Sequence, residues 1–313
     1  MDCTITHNNV RTFCSAISAL SRMGKDLYIE FDPLDGLILR TLNDAKSAFC
    51  AFNWKPAFFE RCTAPPLRKR SQDEHVFKCR IPMRAMAPIT KPRKGVASLR
   101  IRNEASSDQL HLSFHFQLEK NNDILNVTHR ISVVDAEGVH AVTDREGASE
   151  IVTLPRFLLR MMEPLKKASE IALTVNDKTK TVTMASHHHE AQHHDNIILQ
   201  SKSATQLKSE TSAGAHEFEG FLFQDEHHHE KENDAPANVM EEVTLVCTLR
   251  EPKAMLQFCA SAADDDLRVT LLFHWGGKPL IVETKASTFA AELVMATLDH
   301  NLLRSSHSHE QHQ

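Results

Sequence analysis

Four stretches of the chain repeat one unit: a strand, a helix of about thirteen residues and two further strands. Their first strands open near Cys3, Val76, Ser149 and Glu242, at steps of 73, 73 and 93 residues. That period is too regular for chance and too long for a solenoid, so the chain is a duplication of a duplication. With 313 residues and 41% hydrophobic content, it can bury two domain-sized cores. The expected class is α+β, with two similar domains, each built from two strand-helix-strand-strand units.

In the first unit the pattern gives a strand over 4–7, a helix over 10–23 and strands over 27–31 and 37–42, with Asp35-Gly36 as the turn. The second has strands 76–81, 96–101 and 109–116 around a short helix at 83–90. Its Leu110, Leu112, Phe114 and Phe116 alternate with His111, Ser113 and His115, the mark of a sheet with one buried face. The third runs strand 150–154, a helix from Pro155 to Ala168, and strands 171–175 and 181–185. The fourth follows with strand 243–249, helix 250–262, a strand carrying Leu267, Val269, Leu271 and Phe273, a Gly276-Gly277 turn and strand 280–284. A further strand over 128–134 closes the first half. The reading is an N-terminal domain over 1–135, a connector over 136–148, a C-terminal domain over 149–300 and a tail over 301–313.

Charge is sorted along this framework. The helix windows 10–23, 82–94, 155–168 and 250–263 hold 12 Lys or Arg and two acids. The whole chain has 36 bases and 41 acids, leaving 24 and 39 elsewhere. At 100° per residue Arg11, Ser15, Ser18 and Arg22 share a stripe opposite Phe13, Ile17 and Leu20. Arg156, Arg160 and Lys167 cluster within about 40° by the same arithmetic. Arg250, Lys253 and Gln257 share a face, and the second window offers Arg84, Lys91, Arg93 and Lys94, although Pro88 and Pro92 must shorten its helix. Ordinary solvated helix faces mix both signs. Faces nearly free of acid in an acidic protein fit a surface that meets a polyanion.

Other chemistry is sparse. Seven cysteines without a C-x-x-C pair sit mostly in apolar stretches, which reads as free thiols in a reducing compartment. No stretch resembles a secretory leader or an apolar span of membrane length. Residues 186–239 hold nine histidines, ten acids and three bases, a His- and acid-rich insertion that accounts for the longer step, with a strand expected at 197–199 or 205–208. Within it, His189-Glu190-Ala191-Gln192-His193 satisfies the H-E-x-x-H zinc-hydrolase pattern. Five histidines within eight residues make the match close to a consequence of composition, so no metal ligand, cofactor or catalytic residue is assigned. Nucleophile-elbow and phosphate-loop patterns are missing, and the chain does not read as an enzyme. His111, His115 and His129 fall on strand faces, where a solvated or hydrogen-bonded imidazole is expected.

The opening stretch carries a family resemblance. Asn9-Val10, Leu20-Ser21-Arg22, Gly24, Leu27-Tyr28, Glu30, Asp35-Gly36-Leu37, Leu39-Arg40-Thr41 and Asn43 resemble the start of the Rad-nine subunit of the checkpoint clamp. Ser47-Ala48 and Phe58-Phe59 extend the likeness, as do Thr128-His129, Ile131-Ser132, Ala141-Val142, Asp144, Pro279 and Ala296-Thr297-Leu298. The resemblance implies a sliding-clamp (PCNA-like) fold whose helices line a channel while antiparallel sheets form the outer wall. It also implies a heterotrimeric ring with Rad-one and Hus-one type subunits, a dedicated clamp loader, double-stranded DNA as cargo and a nuclear location. Arg68-Lys69-Arg70 matches a nuclear-entry signal and equally an exposed loop. Family members continue into a phosphorylated tail that recruits checkpoint adaptors. Here only a short Ser/His-rich stretch with Ser305, Ser306 and Ser308 follows the last strand, which fits a truncated form. The expected DNA-backbone contacts are Arg11, Arg22, Arg84, Lys91, Arg156, Arg160, Lys167, Arg250 and Lys253. The alternatives are a homotrimeric replication-type clamp and, remotely, a zinc-dependent hydrolase using the 189–193 segment.

Overall fold

The structure, a computed structural model, describes residues 1–32, 34–63, 77–91, 93–104, 107–117, 124–187, 208–224, 241–262 and 266–299. Unit one comprises β1 (Asp2–Thr6), α1 (His7–Ser21), β2 (Asp26–Asp32), β3 (Gly36–Leu42) and β4 (Ala48–Trp54), followed by a short β5 (Arg61–Thr63). Unit two comprises β6 (Phe77–Pro82), α2 (Met83–Met86), β7 (Val96–Asn103), β8 (Gln109–Gln117) and β9 (Ile124–Ser132). Unit three comprises β10 (Ser149–Thr153), α3 (Pro155–Met162), β11 (Glu170–Asn176), β12 (Thr181–His187), β13 (Glu210–Gly214) and β14 (Gly220–Leu222). Unit four comprises β15 (Glu242–Thr248), α4 (Arg250–Ser261), β16 (Val269–Phe273), β17 (Leu280–Lys285), β18 (Phe289–Met295) and β19 (Leu298–Asp299).

The repeat is therefore strand-helix followed by at least three strands, where the sequence pattern gave two and, in unit two, the further strand at 128–134. In unit one the missed strand is β4, whose Ala-Phe-Cys-Ala-Phe-Asn-Trp run is largely buried and shows no clean alternation to read. Two helices are shorter than expected. Met83–Met86 makes barely one turn before Pro88, whose ring and missing N–H bar further helix. The α3 helix stops at Met162 because Pro164 cannot donate to the Arg160 carbonyl, and Glu163–Leu165 tightens into a 3₁₀ turn. Lys91 and Lys167 thus lie beyond helix ends. Of the strand expected at 197–199 or 205–208, residues 197–199 and 205–207 lie outside the described residues and Lys208 is not in a strand; a strand follows at 210–214.

Three antiparallel sheets form. Two lateral sheets have the orders β5-β1-β7-β8-β9 and β13-β12-β11-β15-β19, and a central one runs β14-β10-β16-β17-β18-β4-β3-β2-β6. Each unit lends its first strand to the strands of its sibling: β1 joins β7–β9, β6 joins β2–β4, β15 joins β11–β13 and β10 joins β16–β18. The halves fuse where β4 pairs with β18 over seven residues, from Phe289 opposite Trp54 to Met295 opposite Ala48. Behind this seam Trp54, Phe52, Phe13, Phe58, Phe258 and Phe289 pack ring on ring, Phe52 and Phe258 meeting edge to face at 4.6 Å. Both tight turns hold a glycine in the left-handed region, Gly36 at φ 96° and Gly277 at φ 91°.

Residues 135–148 connect the halves without a strand and lie across the outer face of the central sheet. Val139 and Ala141 pack there on Phe49, Ile281 and Val294, and the Arg145 guanidinium bonds Glu283 at 2.5 Å and Glu292 beside it. Cys3 and Cys62, opposite each other on β1 and β5, are joined as a disulfide, a departure from the reading of the cysteines as mostly free thiols packed in apolar stretches. The other five are buried thiols.

Candidate nucleic-acid interface

The four α-helices among the described residues touch in the order α2-α1-α4-α3. Each buries an apolar stripe. Helix α1 uses Val10, Phe13, Cys14, Ile17 and Leu20; α4 uses Ala254, Met255, Leu256, Phe258 and Cys259; and α3 uses Leu158, Met161 and Met162. The opposite stripes face solvent. The α1 and α4 helices run antiparallel across the seam between halves. Ser15 Oγ meets Ser261 Oγ at 2.9 Å, Arg22 donates to Gln257 Oε1, and Arg250 reaches the Met23 carbonyl at 3.4 Å.

Of the nine cations expected from sequence, Arg11, Arg22, Arg156, Arg160 and Arg250 are exposed on this helix row and Lys253 is half-buried in it. Lys91 and Lys167 extend it from the exposed loops after α2 and α3. Arg84 stands at one end, over a groove of about 560 Å³ between α2 and β9 that is also lined by His129 and Arg130. Arg93 and Lys94, counted in the sequence but not assigned, are exposed on the loop after α2, with the Arg93 guanidinium 5.7 Å above the Phe114 ring. Their signal in the sequence is the basic run Lys91, Arg93 and Lys94 itself.

The two acids in the helix windows are already engaged. Glu251 is buried, accepts from Thr248 Oγ1 at 2.6 Å and pairs with Arg250 at 3.1 Å. The Glu163 carboxyl is held below its usual range by the Lys166 ammonium at 3.1 Å, with Lys253 adding to the effect. No uncompensated carboxylate of α1–α4 faces solvent among the described residues, so the exposed side of the row is electropositive.

Burial pushes the thiols of Cys14, Cys79, Cys247 and Cys259 up to about 12, so they stay protonated at neutral pH. Among the described residues no group of three His, Cys, Asp or Glu could hold a metal ion, and the 189–193 segment lies outside them, as does Arg68-Lys69-Arg70. His115 pairs with Asn126 at 2.5 Å, as a strand-face histidine should. His129 departs from expectation: its Nε2 is buried without a partner, and burial, reinforced by Arg93, lowers its pKa. No helix among the described residues is long and apolar enough to cross a membrane.

One layer of basic-faced helices on three antiparallel sheets, doubled within the chain, is the sliding-clamp fold. The solved PCNA of Thermococcus kodakaraensis has the same fold at a TM-score of 0.66 and 11% identity, over 95% of this chain and 99% of that one. A chain of the PCNA2-PCNA3 complex of Sulfolobus tokodaii gives 0.65 at 10% identity with the same coverage. The chain belongs to the Rad9 family, whose model matches residues 13–298. It is 23% identical over 301 residues to the Drosophila melanogaster cell cycle checkpoint control protein Rad9, covering 95% of this chain and 57% of the relative. It is 24% identical to the Caenorhabditis elegans cell cycle checkpoint protein hpr-9, covering 94% and 52%. The chain thus spans about half the length of the curated relatives it matches.

Proposed function

We propose that this chain is a DNA-damage checkpoint clamp subunit, one member of a closed heterotrimeric ring that encircles duplex DNA and serves as a non-enzymatic platform in the nucleus for signalling and repair factors. The observation that carries the reading is the cationic side of the continuous helix row. A ring that must slide touches phosphates rather than base edges, and Arg11, Arg22, Arg84, Lys91, Arg156, Arg160, Lys167, Arg250 and Lys253 supply charge without sequence preference. Ring closure has its means as well. Beside α2 the lateral sheet ends on β9, beside α3 the other ends on β13, and neither outer edge has a neighbour among the described residues. Such edges accept a strand from another chain.

The family and the checkpoint names of its relatives support two related subunits, of Rad-one and Hus-one type, as ring partners, with a dedicated loader and a checkpoint adaptor engaged through a C-terminal tail. Reversing Arg11, Arg160 and Lys167 to Glu in the assembled ring should leave folding intact and impair DNA-stimulated loading; unchanged loading would refute the assignment. Sizing separates the runner-up, since a homotrimeric clamp gives the isolated chain a mass near three times 35.3 kDa.

A further inference from the structure

The lateral sheet of the first half buries one face under the helices and turns the other outward. Residues directly opposite in antiparallel strands share a face, so the registers set out this outer side in rows. One row reads Thr63, Asp2, Arg102, His111, Arg130; the next reads Arg61, Thr4, Arg100, Ser113, Thr128. Four arginines from three strands, β5, β7 and β9, therefore stand on one side. At about 4.8 Å between strands, their backbones span about 20 Å.

Asp2 shows what the surface holds. Arg100 forks onto it, with Nε 2.8 Å from Oδ1 and Nη2 on Oδ2. That bond, helped by the charges of Arg100, Arg61 and Arg102, keeps the carboxyl below its usual range. Arg102 also reaches Glu104 at 2.5 Å, while Arg61 and Arg130 are exposed and make no ion pair with a described residue. The site thus binds a carboxylate of its own and keeps guanidinium groups to spare. A phosphate monoester, with nearly two charges and three acceptor oxygens, suits such a cluster better than a carboxylate does.

The duplication supplies an internal control. Corresponding rows of the second lateral sheet read Gly214, Thr181, Asn176, Glu242 and Ser212, Thr183, Thr174, Thr244, where hydroxyls pair with each other at 2.7 and 2.9 Å. No arginine stands in them, so the fold does not require the cations of the first half. The face lies across the sheet from the helix row. Its rows offer no Phe, Tyr or Trp ring on which a base could stack, His111 supplying the one imidazole, and no apolar anchor for a membrane or a greasy partner.

We propose that the outer face of β5-β1-β7-β8-β9 is a docking surface for a phosphorylated, acidic segment of a partner protein, its phosphates taken by Arg61, Arg100, Arg102 and Arg130. The test titrates the full chain with a labelled acidic peptide bearing two phosphoserines, with its unphosphorylated parent and with a short DNA duplex. The phosphopeptide should bind about tenfold tighter than the parent, and Arg61→Gln with Arg102→Gln should remove about tenfold or more. Arg61→Gln alone, at an exposed position, should show part of that loss without touching the fold, and Asp2→Asn should tighten binding by releasing Arg100. Thr183→Ala with Ser212→Ala should change nothing. Equal affinity for both peptides, binding indifferent to Arg61 and Arg102, or a duplex that binds this face in preference to the phosphopeptide would overturn the proposal.

Discussion

The connector between the halves is held by one side chain whose removal has a calculable cost. Glu283 on β17 and Glu292 on β18 are directly opposed in register, and Arg145 joins both carboxylates. Opposed residues stand roughly 5 Å apart at Cβ, where like charges destabilise a sheet. Two full charges at that distance repel by about 3 kcal/mol at an effective dielectric of about 20, and by under about 1 kcal/mol in bulk water. Arg145 is 41% exposed and Lys285 lies 2.9 Å from Glu283, so Arg145→Ala should cost about 1–2 kcal/mol, between those limits. Burial alone would raise the Glu283 pKa, but Lys285 and Arg145 outweigh it and the net direction is down. A depressed folded value means that the stabilisation is complete above the unfolded value of 4.5 and is lost as pH falls through the folded one. Urea unfolding should therefore show the Arg145→Ala loss in full near neutral pH and little of it once both carboxyls are protonated. Glu292→Gln should destabilise the natural protein and stabilise the Arg145→Ala variant. A loss independent of pH, or Glu292→Gln acting alike in both backgrounds, would refute this account.

In the assembled ring, Arg11→Gln, Arg160→Gln and Lys167→Gln together should lower the salt slope of duplex binding by about 2.7, at about 0.9 for each phosphate no longer neutralised, and an unchanged slope would argue against that role for the three side chains. Phe258→Ala empties the seam between halves, where Phe258 is 1% exposed against Phe52, Trp54 and Phe289, and should cost about 3–5 kcal/mol by urea unfolding; under about 1 kcal/mol would mean that the seam is not a shared core. Gly36→Ala places a Cβ at φ 96° and against the Trp54 carbonyl, so the melting temperature should drop by several degrees, and an unchanged one would show that the turn relaxes freely.

The sequence revealed what depends on periodicity. Alternation in β8 and the apolar stripes of α1 and α4 were legible because each element buries one face only, and Asp35-Gly36 and Gly276-Gly277 were legible because their turns require a positive φ. The β4 strand was not, since both of its faces are largely covered, one by the helices and the other by the connector. The Cys3–Cys62 pair was not, because it depends on β5 pairing with β1 across 59 residues of separation. The outer arginines were present in the letters, Arg100 and Arg102 alternating with Leu99 and Ile101. Only the register brought Arg61 and Arg130 beside them. The helix cations were legible as a class, whereas the contact of Arg22 with Gln257 and the place of Arg84 over the α2–β9 groove needed the packing of elements distant in sequence.

Strand exchange explains why charge could sort so cleanly. A unit alone would leave its first strand unpaired and its helix without a complete sheet beneath it, so each core is built from two siblings and the helix row follows from how the pairs meet. One side of each helix is fixed by that packing, and the other contributes nothing to the core. Acids there would lose no packing energy, yet both acids of the windows are engaged, Glu251 by Thr248 and Arg250 and Glu163 by Lys166. The second lateral sheet shows the same logic from the opposite direction. Its outer rows pair hydroxyls where the first places arginines, on the same architecture. What the repeats share is therefore the buried pattern, and where they differ in charge the difference belongs to what each surface meets.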